Sequence, residues 1–189
     1  IEEADIYQRG EYLLYETDIY GITILTDTTE RSPTFSLQVF ENRLDENIKP
    51  SMAYIYIPAA ETPQEGWQAI LLRQPMPLDW KETKGLAGET RLMGFDFSKQ
   101  ALKHRTQDVA PSKLHRFIIR RDGDDMVFSL NDHSHRIDVS GLHPLYEQLL
   151  LKLLLNIHSA LVMGRMQRIE SNIMTWVKPS NNKLIDRAI

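Results

Sequence analysis

Short apolar segments that favour strands alternate along this chain with segments that favour helices. This alternation constrains the fold more than any other feature, because it is typical of α/β proteins with a mostly parallel sheet. One helix start is clear, since Thr62 provides a cap residue and Pro63 occupies the first helical position. Three segments before residue 100 predict strands: EYLLYE (11–16), SMAYIYIP (51–58) and TRLMGFDFS (90–98).

Two further strands are predicted in the segments HRFIIR (115–120) and MVFSL (126–130), which flank residues 121–124. The Asp122-Gly123 pair between two apolar runs is a hairpin signal, although a loop between parallel strands uses similar residues. A basic helix, KQALKHR (99–105), precedes these strands. We expect all five strands to lie in one predominantly parallel sheet.

The longest predicted helix runs from about Leu145 to Arg165. It is apolar on most faces, so we expect it to be buried. Its LLLKLLL run contains Lys152 and is too short to span a bilayer, so no membrane partner is expected. After a turn at Lys178 and Pro179, a final helix is predicted.

Composition narrows the class of protein. The 189 residues are 42% hydrophobic, enough for one domain (1–189) with a substantial core. The net charge of −4 argues against nucleic acid binding, and a chain without cysteine has neither disulfides nor a thiolate zinc site. No secretory signal is visible, so a cytoplasmic location is expected. Because the chain starts at Ile1 and stops within KLIDRAI, we expect a fragment of a longer protein.

Two polar segments are candidates for chemistry. TDTTERSPTF (26–35) predicts the end of the first helix, with Ser32 and Pro33 terminating it. NDHSH (131–135) contains two histidines and an aspartate, which could bind zinc or form a solvated turn. We expect the turn, and therefore no metal site and no cofactor.

The C-terminal segment NIMTWVKPSNNKLIDRAI resembles the signature that follows the last core helix of the N-acetylmuramic acid 6-phosphate etherases. The long helix and the 26–35 segment are similar to other etherase motifs. The family is built on the sugar isomerase (SIS) domain, so the resemblance implies a three-layer α/β/α sandwich with a mostly parallel five-stranded sheet. The residues that carry the resemblance are Asp27, Glu30, Pro33, Thr34, Phe35, Lys152, Leu155, Asn156, Ser159, Gly164, Asn172, Met174, Val177, Pro179, Asn181, Lys183, Leu184 and Arg187.

The chain departs from the family where phosphate is bound. The glycine-rich loop is replaced by YETDIYG, in which only Thr17 and Gly21 could serve phosphate, while Glu16 and Asp18 would repel it. In the next family loop, only Ser98 is left as a candidate. This pattern, in which the scaffold is retained and the binding loops are eroded, is similar to the second SIS domain of the glucokinase regulatory protein family.

The resemblance therefore implies a phosphosugar-binding SIS domain without catalysis of its own, in a two-SIS chain or a homodimer. An active sugar-phosphate lyase or isomerase is the alternative. Glu30 is either an acid/base residue or a structural group that pairs with Arg31 or caps a turn. Lys152 either contacts a phosphorylated sugar, in its own or a partner's pocket, or only extends its charge to solvent. Candidate substrate-binding residues are Lys152, Glu30, Thr17 and Ser98.

Overall fold

A computed structural model describes residues 2–38, 40–46, 49–180 and 182–188. Helices and strands alternate from residue 2 to residue 71, three further helices and a 3₁₀ turn precede residue 114, and a long helix follows the last strand of the main sheet. The helices are α1 Glu2–Gln8, α2 Gly21–Phe35, α3 Pro63–Leu71, α4 Lys84–Ala87, α5 Glu89–Met93, α6 Lys99–Asp108, α7 Pro144–Arg165 and α8 Asn182–Ala188, with a 3₁₀ turn at Pro111–Lys113. The strands are β1 Tyr12–Thr17, β2 Ala53–Tyr56, β3 Leu114–Asp122, β4 Asp125–Leu130, β5 His133–Asp138, β6 Ile169–Glu170 and β7 Ile173–Met174.

Five strands form the main sheet in the order β2-β1-β3-β4-β5. Strand β1 is parallel to both β2 and β3, whereas β4 and β5 join as antiparallel neighbours. The α/β class is confirmed, and the sheet is mixed. Of the two alternatives left open for residues 121–124, the structure has the hairpin, so the strand at 126–130 is antiparallel to its neighbour. Only Gly123 and Asp124 separate β3 from β4, and Gly123 has a left-handed φ of +61°, as in a tight type II′ hairpin turn.

The strand predicted at 90–98 is also wrong. Residues Glu89–Met93 form α5, and the following segment makes one backbone hydrogen bond to the end of β2, from Ile57 N to Phe97 O at 2.8 Å. Its apolar residues instead serve packing, since the Trp67 ring meets Phe97 edge to face at 5.1 Å. The fifth strand of the sheet is β5, which contains the histidines that we expected in a solvated turn.

Helix α2 contains the hydroxyl-rich stretch and confirms the predicted helix. It continues two residues past Pro33 and ends at Ser36, which has a left-handed φ of 54° and whose N–H bonds to the Arg31 carbonyl. The threonine hydroxyls of the stretch donate back to carbonyls one turn earlier, for example Thr28 to Ile24 at 2.7 Å. These hydroxyls therefore find their hydrogen-bond partners within the helix.

Helices lie on both faces of the sheet. Tyr15 of β1 contacts Arg31 of α2, whereas Tyr12, on the opposite face of the same strand, lies under Arg105 of α6. Helix α7 packs beside α2 and parallel to it, because residues near both helix starts and farther along both helices meet in order. The contacts run from Thr23–Gln148 to Arg31–Ser159. No helix in the described ranges is long and apolar enough to cross a membrane.

Candidate functional site

Glu30 and Lys152, two of the predicted site residues, meet where α2 and α7 run side by side. The Lys152 Nζ lies 3.0 Å from Glu30 Oε2 and 3.8 Å from Asp27 Oδ1. The Glu30 side chain is 62% exposed and that of Lys152 is 31% exposed. The pair is therefore a surface ion pair at the junction of the two helices, and the expected pairing of Glu30 with Arg31 is wrong.

Arg31 is instead the centre of a buried charge cluster. Its guanidinium contacts Glu3 Oε1 at 2.6 Å and Asp27 Oδ2 at 3.1 Å, and all three side chains are almost fully buried. Ser159 of α7 accepts from Arg31 Nε at 3.1 Å and donates to Asp27 at 2.7 Å. The Tyr15 hydroxyl donates to Glu3 at 2.8 Å. This cluster ties α1, α2, β1 and α7 together.

The charge of Arg31 governs the protonation of Glu3. Burial by itself raises the pKa of Glu3, but the Arg31 guanidinium, the hydrogen bond and charge of His158, and the Tyr7 hydroxyl outweigh it. Together they hold the pKa of Glu3 well below its usual range. The carboxylate is ionised and only accepts hydrogen bonds, so His158 Nε2 donates to Glu3 Oε2 at 2.6 Å. Neither Glu3 nor this role of Arg31 was predicted from the sequence, although the Asp27–Arg31 spacing of four residues is a helical ion-pair signal.

Thr17, another predicted residue, ends β1 at the carboxyl edge of the parallel strands. Its side chain is buried, and within the described residues its Oγ1 has no hydrogen-bond partner. Helix α2 begins four residues later, and its cap residue Tyr20 makes no side-chain cap bond. Because β2 and β3 flank β1 on opposite sides, this edge is the topological switch point of the sheet, where α/β proteins bind ligands.

The charges around this edge are partly neutralised. Glu16, expected to repel phosphate, pairs with Arg116 on the sheet. Asp18 accepts from the Ile19 N–H at 2.5 Å and stays exposed. The buried Glu147 accepts from both the Tyr20 hydroxyl and Arg121. Burial and the hydrogen bond to Glu147 raise the pKa of Tyr20 well above its usual value.

Ser98 has a structural task. It is the cap residue of α6, accepts from Gln100 N at 3.2 Å and donates to Asp96 Oδ1 at 2.6 Å. Its hydroxyl is buried and already engaged. Thr17 lies near the start of α2, whereas Glu30 lies nine residues along it, about 13 Å away at about 1.5 Å per residue. The predicted residues therefore do not form one site, because Glu30 and Lys152 meet away from Thr17 and Ser98 is engaged in capping α6.

The outer face of α7 is the most unusual surface near these residues. The prediction that this helix is buried is wrong for that face, because its large apolar side chains are 50% to 66% exposed. Among the exposed residues from Leu145 to Gly164, all of which the structure describes, none is charged. The face is about 24 Å long, from its first to its last leucine. Its large apolar residues are Leu145, Tyr146, Leu149, Leu153, Ile157 and Leu161.

Metal binding finds no support in the described ranges, where no cluster of three or more suitable side chains could hold an ion. His133 and His135 alternate with Ser134 in β5, so they lie on one face of that strand. Both are exposed. They border a cavity beside α1.

Comparison with known proteins gives no family assignment. No protein-family model matches the chain, and no curated protein matches it either. The resemblance to SIS domains therefore stays a prediction, and its motif residue Asn181 lies outside the described residues. Four other motif residues, from segments more than a hundred positions apart, do meet in the structure: Asp27 contacts Ser159, and Glu30 contacts Lys152.

Proposed function

We propose that this chain is a SIS-type partner domain of the cytoplasm. It would form a three-layer α/β/α sandwich, bind a phosphorylated sugar and pair with a second SIS domain, with little catalysis of its own. The observation that carries the proposal is the uncharged, exposed outer face of α7, which adjoins the Lys152–Glu30 pair. Contiguous exposed apolar surface of this kind marks an interaction site.

The occupant of this face is a second copy of the chain. A face without charges is complementary to itself, because two copies related by a two-fold axis bring no like charges together. Leu153 lies midway along the row, so an antiparallel pair of α7 helices would place Leu149 opposite Ile157 of the other copy. Asn156 supplies one polar group inside this apolar row. The Lys152–Glu30 pair lies at its margin, where interfaces are polar.

Thr17 and the start of α2 support the binding of a phosphoryl group. The first N–H groups of a helix have no partner within the helix and favour an anion. Helix α2 has no side-chain cap, and the unpartnered Thr17 hydroxyl is buried just before it. A phosphoryl oxygen at this point would accept from both. Asp18 and Glu147 lie nearby and would weaken binding, in keeping with an eroded site.

The environment of Glu30 supports the non-catalytic form of the proposal. A general acid or base is usually enclosed and tuned by its surroundings. Glu30 is exposed and paired with a lysine of its own domain. The isolated chain should therefore show no lyase or isomerase turnover on phosphorylated sugars. Turnover that disappears in Glu30→Gln would favour the alternative of an active enzyme.

The pairing is tested by the mass of the chain in solution, measured by sedimentation velocity over micromolar concentrations. We expect a dimer for the wild type and a monomer for Leu153→Glu, which introduces a charge at the centre of the row. Leu86→Glu is the matched control, because Leu86 of α4 is also highly exposed. It should remain dimeric. A wild-type monomer, or equal behaviour of both variants, would contradict a second copy as the occupant.

The ligand is tested by titrating glucose 6-phosphate and glucose into the same protein. We expect binding of the phosphate ester alone, and a loss of tenfold or more in Thr17→Val, which keeps the shape of the side chain but removes the hydroxyl. A hydrogen bond to a charged group is worth about 1.5–3 kcal/mol, and tenfold corresponds to about 1.4 kcal/mol. The exposed Thr29→Val is the control. Equal affinity in both variants would remove Thr17 from the site.

A further inference from the structure

The cavity bordered by His133 and His135 lies on the sheet face that also carries α1 and α7. It has a volume of about 760 Å³, within the range of small-molecule sites. Its apolar floor consists of Phe117, Phe128 and Leu130 on the β3–β4 hairpin. Phe117 and Leu130 are largely buried, while Phe128 is partly open to the cavity. A ligand would therefore rest an apolar body on aromatic rings.

The aromatic rings of the floor are held in position by their neighbours. The Phe117 and Phe128 ring centroids are 6.5 Å apart, and His158 meets Phe117 edge to face at 5.7 Å. His158 is in turn held by the buried Glu3 carboxylate at 2.6 Å. Faces of such rings attract cations through their quadrupole. The floor is preorganised, because His158 beside it is anchored to the Glu3–Arg31 cluster that also positions α1.

Carboxylates of α1 line one side of the cavity. Glu3 is buried and paired with Arg31, and Glu2 accepts a hydrogen bond from Asn131. Among the described lining residues the one arginine, Arg9, is already paired with Glu11 at 2.8 Å. Within the described part of the chain, the Asp5 carboxylate makes no hydrogen bond or ion pair, so it is available to a ligand. An anion such as a sugar phosphate is disfavoured here. An amine or guanidinium would find both a carboxylate and ring faces.

We propose that this cavity binds a small organic cation, an amine or guanidine carried on an aromatic or aliphatic body. The aromatic floor takes the apolar body, and Asp5 at the α1 side takes the charge. This site is separate from the switch point at Thr17 and selects the opposite charge. The amine titration of this cavity and the glucose 6-phosphate titration of the Thr17 site can therefore succeed or fail independently.

Three probes that share a phenyl ring test the charge preference. They are 2-phenylethylamine, which is cationic at neutral pH, the neutral 2-phenylethanol and the anionic 3-phenylpropionate. Each is titrated into the full chain while backbone amide signals are followed by NMR. We expect the amine to shift signals of Phe128, Ser134 and His135, the alcohol to bind about tenfold more weakly, and the carboxylate to cause no shift. Equal binding of amine and alcohol, or no binding by the amine, would overturn the proposal.

Matched variants locate the charge contact. Asp5→Asn should weaken amine binding by about fivefold, the effect of one unit charge at about 4 Å in water, and leave the alcohol unchanged. Asp132→Asn is the control, because this exposed aspartate makes the same change in net charge without lining the cavity. Phe128→Leu should weaken both amine and alcohol. An amine affinity that is insensitive to both Asp5→Asn and Phe128→Leu would place the ligand elsewhere and refute the assignment.

Discussion

The two sides of helix α7 differ from each other, and the outer side departs from the usual arrangement of a surface helix, in which polar residues face water and apolar residues face the core. Its inner side buries Glu147 and Ser159 among apolar residues, while its outer side exposes Leu149, Leu153 and Ile157. On the inner side each of these two polar groups has named partners. On the outer side the leucines are more than half exposed. The inner side therefore fixes where α7 lies, and the outer side becomes useful only when another surface covers it.

The inner side gains its specificity from paired charge. Removing one partner from a buried ion pair leaves the other charge uncompensated in a poorly polarisable interior, which costs more than the pair itself contributes. Arg31, Glu3 and Asp27 are such a set, and Ser159 links them to α7. A shift of α7 by one turn along α2 would break this link. The polar cluster thus specifies the register of the two helices.

Arg31→Met should cause the largest effect, because it strands two buried carboxylates. We expect a loss of about 3–5 kcal/mol in the free energy of unfolding, measured by urea titration. Arg9→Met, which removes an exposed arginine of the neighbouring Arg9–Glu11 pair, should leave the urea midpoint unchanged. If Arg31→Met unfolds at the wild-type urea concentration, the cluster does not hold α7 in place.

A leucine from each side of α7 provides the most direct form of the comparison. Leu155 is 2% exposed and Leu153 is 59% exposed, two positions apart on the same helix. Leu155→Ala should cost about 2–5 kcal/mol because it leaves a cavity. Leu153→Ala should stay within about 0.5 kcal/mol of the wild type, as is usual for a surface position. The measurement is made at concentrations where the chain is monomeric, and equal costs would show that the outer face is packed after all.

Acid should weaken the stabilisation provided by the inner side of α7 before it affects the outer side. In an unfolded chain Glu3 titrates near about 4.3, and its pKa in the folded protein is held well below that value. The stabilisation is therefore complete above about pH 5 and is lost as the pH falls toward the folded-state pKa, with each unit of difference worth about 1.4 kcal/mol. Urea midpoints between pH 7 and pH 2 should fall steeply in the wild type. They should fall less steeply in Glu3→Gln than in the exposed control Glu82→Gln.

Local signals in the sequence were sufficient for much of the fold. Four of the five strands of the main sheet, the Thr62 cap and the extent of the long helix follow from apolar runs and cap residues. The polar strand His133–Asp138 gives only a weak signal of this kind, because its residues are almost all exposed at a sheet edge. The segment 90–98 was misassigned because its apolar residues satisfy packing against Trp67 rather than strand pairing.

The site was harder to predict, since its key contacts join residues far apart in the chain. The choice of partner by Arg31 depends on Glu3, which lies 28 positions earlier. No pattern of period two or 3.6 carries that information. The same limitation applies to α7, whose apolar residues predict burial whether the covering surface belongs to this chain or to a partner. Glu30 and Lys152 were predicted as candidate site residues, but the contact between their side chains was not predicted.

Lys152→Met should produce only a small change in stability, and it tests the function of the junction between the two sides of α7. Its ammonium pairs with the exposed Glu30 at 3.0 Å, and exposed pairs contribute about 0–1 kcal/mol. Unfolding free energy should therefore remain within about 1 kcal/mol of the wild type. If Lys152 also reaches a phosphorylated sugar, alone or across the dimer, glucose 6-phosphate affinity should fall by tenfold or more at this unchanged stability. Glu30→Gln separates the two tasks, because it frees the lysine without removing its charge and should leave that affinity equal or higher. A lysine variant that keeps full affinity would restrict Lys152 to the helix junction, and the switch point at Thr17 would then have to supply the phosphate contacts without it.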